Sequence, residues 1–183
     1  MTVVTELSLR WLTSPDQVDD GLRRALVTCW RDVSNAGGAV GFPFLPVTDD
    51  DVAPVLDELV GGLHPTLRRI LVALDGGALA GWLVLSGHAH ALRAHTGKVN
   101  RVQTAVEHRG TGVGRVLMAE LARAAHEDLG LAQLHLEVRG GMGIEPFYAQ
   151  FGWRVAGRFP RALRLSADDL RDEILMYLDL TAA

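Results

Sequence analysis

One cysteine in 183 residues, Cys29, excludes an internal disulfide framework and a Cys-rich metal site, and it agrees with a reducing, cytoplasmic setting. Its helical neighbours suggest core packing. Long apolar runs are missing as well. Nothing approaches the ~18 consecutive apolar residues of a membrane span, and Met1–Glu6 lacks the basic region and apolar stretch that mark export. Positive charge is not in excess. A formal net charge of -4 and a pI near 5.9 argue against nucleic acid as the main partner, although Arg109 and Arg115 could form one local basic spot. No serine sits in a Gly-x-Ser-x-Gly elbow, so an acyl-enzyme route has no support. His88, His90 and His95 share a loop without accompanying Cys or carboxylates, so no metal is expected. With no repeat, low-complexity tract or linker, residues 1–183 are expected to form a single domain, long enough to bury roughly 70% of its unfolded surface.

What is present is a succession of amphipathic segments. Leu7–Leu12 reads as a first strand. Val18, Leu22, Ala25, Leu26, Cys29, Trp30 and Val33 recur at helical spacing behind Ser14-Pro15-Asp16, which reads as a cap and first turn. After a small-residue loop, Ser34–Gly41, a second helix follows Thr48, with Asp49, Asp50 and Asp51 in its first turn as partners of the helix dipole. Arg69–Leu74 and Ala78–Leu85 flank Asp75-Gly76-Gly77, a hairpin signature. Leu134-His135-Leu136-Glu137-Val138 alternates cleanly, which buries three apolar side chains and turns His135 and Glu137 to the other face. A short helix carries Pro146-Phe147-Tyr148, Phe151-Gly152-Trp153 leads into another strand, and Glu173–Leu180 closes the sheet. Met142 and Met176 read as packing filler.

The most informative segment joins strand to helix. Val99–Val106 has strand character and feeds Glu107-His108-Arg109-Gly110-Thr111-Gly112-Val113-Gly114, with glycine at every second position. An amphipathic helix then runs from Val113 to about Leu129 and buries Val113, Val116, Leu117, Leu121, Ala124 and Ala125. Backbone amides at such a corner point outward unpaired, few Cβ atoms bar an anion, and the helix dipole adds attraction for phosphate. No Lys follows the glycines, so the corner is not a Walker A loop. Leu117 occupies the third glycine position of the dinucleotide fingerprint, so that motif fails too.

The pattern that fits is Arg-x-x-Gly-x-Gly, formed by Arg109, Gly112 and Gly114, and it resembles the acyl-coenzyme A loop of the GNAT family of N-acetyltransferases. The element order β-α-α-β-β-β-α-β-α-β-β extends the resemblance over nearly the whole chain. Two stretches, Ala36–Phe42 and Leu134–Glu137 with Glu145–Tyr148, resemble the tabtoxin-resistance acetyltransferases more closely. The implied fold is an α/β (α+β) domain: a mixed sheet of about six to seven strands with helices on both faces. Acetyl-CoA would be bound by Val102, Gln103, Thr104, Arg109, Gly110, Thr111, Gly112, Val113 and Gly114. Val106 stands where the family often has Pro, and no Asn follows the fifth strand, which leaves backbone amides to hold the pantetheine arm.

The chemistry sets its own demands. A primary amine with a pKa near ~10.4 is mostly protonated at pH 7 and needs a proton acceptor. Glu137 is the best candidate, directly or through water, and His135 on the same face is the reserve. Tyr148, eleven residues after Glu137, stands where the family's general-acid tyrosine protonates the leaving thiolate. A backbone N–H near Val102–Thr104 would polarise the thioester carbonyl. Ser34–Phe42 falls at the family's acceptor lid, which makes Phe42, with His135, a candidate substrate contact. The expected activity is acetyl transfer from acetyl-CoA to the primary amine of a small molecule, and the nearer resemblance implies an amino-acid-like toxin or antibiotic. A protein N-terminus or lysine is the alternative acceptor, a non-catalytic acyl-CoA sensor is the alternative of another class, and a homodimer is left open.

Overall fold

The computed structural model describes residues 7–181; the segment Met1–Glu6, which bears on export, lies outside them. In chain order the elements are β1 Ser8–Leu12, α1 Asp20–Asn35, α2 Asp49–Gly61, β2 Arg68–Asp75, β3 Ala78–Gly87, β4 Thr96–Thr104, α3 Val113–Glu127, β5 Gln133–Arg139, α4 Glu145–Ala149, β6 Arg154–Arg164 and β7 Leu170–Asp179. They build one seven-stranded mixed sheet in the order β1-β2-β3-β4-β5-β7-β6. Every neighbouring pair is antiparallel except β4 and β5.

Local chemistry explains the boundaries. The second helix follows Thr48 as expected, and Thr48 caps α2 through a reciprocal box with Asp51. The cap of α1 differs from expectation. Ser14 and Gln17 close only one 3-10 turn over Pro15–Gln17, Val18 lies outside the helix, and Asp19 caps α1 by accepting from the Leu22 amide at 2.8 Å. Gly76 and Gly77, both at positive φ, form the two-residue turn between β2 and β3.

The sheet separates two apolar cores. On one face, α3 and α4 cover Leu71, Leu83, Leu85, Leu134 and Ile174. On the other, α1 and α2 cover Ile70, Val72, Trp82 and Val84. β2 and β3 are buried on both faces, hence their nearly unbroken apolar sequence. Three details correct the sequence reading. Val106 begins a 3-10 turn outside β4, Val116 is only half-buried while Met118 is buried in its place, and Met142 is exposed rather than packed.

Two irregularities open the middle of the sheet. β4 and β5 pair only over Thr96–Lys98 against Gln133–His135, and among the described residues no pairing continues beyond Lys98. The strands part there. In β4, the register against β3 shifts between Trp82 and Val84, opposite Arg101, whose φ is +54°. That is a β-bulge, and it reorients the side chains beyond it.

Candidate active site

Where β4 and β5 diverge, a cavity of about 740 Å³ opens. β4 lines it from Val99 to Thr104, β5 from Leu136 to Arg139, and the loop after α1 from Ala36 to Gly41; Phe147 and Tyr148 of α4 and residues 163–165 at the end of β6 add to the wall. The bulge decides which side chains of β4 face which way. Val99 and Val102 both pack toward α3, an odd spacing for a strand. Arg101 is thereby turned to the α1 face, where its guanidinium stands 5.0 Å over the Trp30 ring and donates to the Val40 carbonyl at 3.0 Å. Gln103, opposite Trp82, also takes this face. It is buried, and neither its side-chain carbonyl nor its amide nitrogen finds a hydrogen-bond partner among the described residues.

The glycine corner closes one end. Gly110 and Gly112 have φ of +77° and +94°, conformations that a side chain would strain, and nothing stands within 4 Å of the Cβ either would carry. Gly112 is the N-cap residue of α3, whose first-turn amides have no helical partner of their own. Arg109 and Gly114 line the cavity. Gly114 is needed for another reason: a Cβ there would lie 2.9 Å from Phe147 Cζ, so its absence lets α4 sit close against α3.

The candidate catalytic groups are distributed unevenly. Tyr148 lines the cavity, with its ring edge-on to Phe147 and Trp153 and no hydrogen bond to its hydroxyl among the described residues. Burial pushes its pKa up to about 12, so it is a protonated donor at neutral pH. Glu137 also lines the cavity, but its carboxylate meets Lys98 Nζ at 2.7 Å, an ion pair that competes with proton acceptance. His135 faces a second, smaller cavity, where it stacks on His88 at 5.7 Å, and desolvation lowers the pKa of both imidazoles.

Of the residues expected to bind ligand, Val102, Gln103, Thr104, Arg109, Gly114, Glu137 and Tyr148 thus border one space. Gly110, Thr111, Gly112 and Val113 stand outside its lining; Val113, the first residue of α3, is buried in the core, and the Thr111 hydroxyl donates to the His108 carbonyl at 2.7 Å. Phe42 turns inward, edge-on to Trp30 at 5.3 Å, while Gly41 and Pro43 line the cavity. Arg101, Arg139, Arg164 and Glu173 are cavity residues that the sequence reading did not single out. No group of three or more His, Cys, Asp or Glu side chains among the described residues could hold a metal ion.

A family model described as an acetyltransferase (GNAT) domain matches residues 66–155. This stretch is similar to a GNAT acetyltransferase domain. The GNAT match runs from β2 to the start of β6, which takes in the divergent strands, the glycine corner and α4. No curated protein matches the sequence. Solved structures share the GNAT fold along their full length. A putative phosphinothricin N-acetyltransferase is 22% identical with a TM-score of 0.74, covering 97% of this chain and 100% of that one. The ribosomal-protein-S18-alanine N-acetyltransferase from Escherichia coli is 16% identical with a TM-score of 0.71, covering 97% and 96%. The putative acetyltransferase yncA from Salmonella typhimurium, with its cofactor acetyl-CoA, is 16% identical with a TM-score of 0.70, covering 97% and 95%.

Proposed function

We propose that this protein is an acetyl-CoA-dependent N-acetyltransferase that acetylates the primary amine of a small molecule by direct attack in a ternary complex. The observation that carries the reading is one cavity bordered both by Arg109 and Gly114, which flank the glycine corner, and by a protonated Tyr148 with no hydrogen bond to its hydroxyl among the described residues. The residues present suit such a carrier. Free amides at the start of α3 and the Arg109 guanidinium suit a diphosphate, and the edge of β4 beyond Lys98 offers unpaired peptide groups to an amide-containing arm.

Acetyl-CoA supplies an activated thioester. The amine nitrogen attacks its carbonyl carbon, the C–S bond breaks, and the thiolate sulfur takes the Tyr148 proton. The proton lost by the amine goes, directly or through water, to Glu137, whose Oε2 also meets Lys98. Holding amine and thioester in one cavity supplies the remaining acceleration.

A thiol-release assay with acetyl-CoA against amino acids, aminoglycosides, polyamines and peptides tests the proposal. Release with a small amine, reduced by Tyr148→Phe by about 10- to 100-fold in kcat, is the expected result. Release with peptides alone would move the acceptor to proteins. No release from any amine, with acetyl-CoA bound, would make the domain a sensor and overturn the proposal.

A further inference from the structure

The least explained group in the cavity is Arg101. Its side chain is largely removed from water, desolvation alone depresses its pKa, and no carboxylate among the described residues pairs with it. A guanidinium has five N–H donors. One is used on the Val40 carbonyl, which already accepts from Trp30 Nε1 at 2.9 Å. The Trp30 ring supports the cation from one side, and Gly41 has no side chain because a Cβ would collide with Arg101 Nη1. A bulge with a positive φ at a non-glycine residue is spent on bringing this charge into the cavity. Buried charge without a partner is unfavourable, so a site that keeps one this way is built to receive the opposite charge.

Gln103 gives independent support. Its amide is unpartnered, it is 2% exposed, and it lines the same cavity from the same face of β4. The charge balance agrees. Arg101, Arg109, Arg139 and Arg164 line the cavity against Glu137 and Glu173, and Glu137 is already paired with Lys98. Such a wall repels a purely cationic amine and suits one that also carries an anion.

On the acetyltransferase reading, we infer that the acceptor is an amino acid or a close analogue, whose carboxylate or equivalent oxyanion docks on Arg101 with Gln103 as the second donor. The planar fork of the guanidinium matches such an oxyanion bidentately.

The test compares each amino acid with its carboxamide and with the matching aminophosphonate in the thiol-release assay. The acid is expected to exceed the amide in kcat/KM by about 10- to 100-fold, chiefly through KM. Arg101→Gln should bring that ratio close to one, and Arg101→Lys should restore part of it. The phosphonate arm tells a carboxylate site from one for phosphorus oxyanions. Equal use of acid and amide by the native protein, or a preference that survives Arg101→Gln, would overturn the inference. So would an equal loss of acetyl-CoA affinity in Arg101→Gln, which would assign the residue to the carrier. If no amine is acetylated, the acetyl-transfer reading fails separately. Calorimetric binding of the same acids and amides in the presence of coenzyme A then decides the docking site: binding of the acids that Arg101→Gln weakens sustains it, and equal binding overturns it. Circular dichroism establishes that both variants are folded.

Discussion

Packing of the Tyr148 ring against Phe147 and Trp153 serves chemistry and stability in the same pH range. Burial raises its pKa from 10.0 to about 12, and burial of Cys29 raises that thiol from 9.0 to about 12. Both groups hold their protons more tightly folded than unfolded. The stability they contribute is therefore intact at neutral pH, begins to fall above the unfolded values and is lost once the pH passes about 12. For Tyr148 the loss amounts to about 2–3 kcal/mol between pH 10 and 12. Urea unfolding measured from pH 8 to 12 should show a shallower alkaline decline in Tyr148→Phe than in the native protein, and an identical slope would contradict that burial. At this scale the sequence was legible where side chains obey strand parity. Glu137 and His135 share the face that alternation predicts, though nothing in the pattern signalled that Lys98 would take up the carboxylate. Arg101 was illegible because it breaks parity. The clue was the three-residue step from Val99 to Val102, which no regular strand can bury on one face.

The α3–α4 contact is the arrangement most exposed to a small change. Gly114 permits Phe147 to approach, and Phe147 precedes Tyr148 on a five-residue helix with little hydrogen bonding of its own to hold it. Gly114→Ala should push α4 outward at a cost of about 1–3 kcal/mol. It should lower kcat more than it weakens acetyl-CoA, because the displaced group is the acid and not the corner amides. Steady-state kinetics alongside thermal unfolding checks this, and an unaltered kcat would show that α4 tolerates the shift. Helices and hairpins were readable from spacing and turn residues; the start of α1 was not. Ser14 and Asp19 both satisfy the chemistry of a cap, and only the extended backbone between the 3-10 turn and Asp20 decides that Asp19 caps the longer helix.

Across the whole molecule, element order and sheet composition followed from the alternation of periods, whereas the shape of the cavity did not. Its walls come from segments far apart in sequence, including the loop after α1 and residues 163–165 at the end of β6. The two cores are joined through one sheet, so a ligand in the divergence touches both halves of the fold. Acetyl-CoA at a hundred times its Kd should stabilise the folded state by about 2.7 kcal/mol. In a chain of this length that raises Tm by roughly 5–10 °C, measurable by scanning calorimetry; an unchanged Tm at saturating carrier would contradict the corner as its binding site.

The short seam between β4 and β5 carries a mechanical consequence. Among the described residues, three residue pairs stitch the N-terminal four strands to the C-terminal three along the ladder. Past that stitch, the peptide groups facing the gap must find their rungs outside the chain. A guest that supplies amides at strand spacing acts as a missing splint, so occupancy of the gap and rigidity of the blade on either side of it rise together.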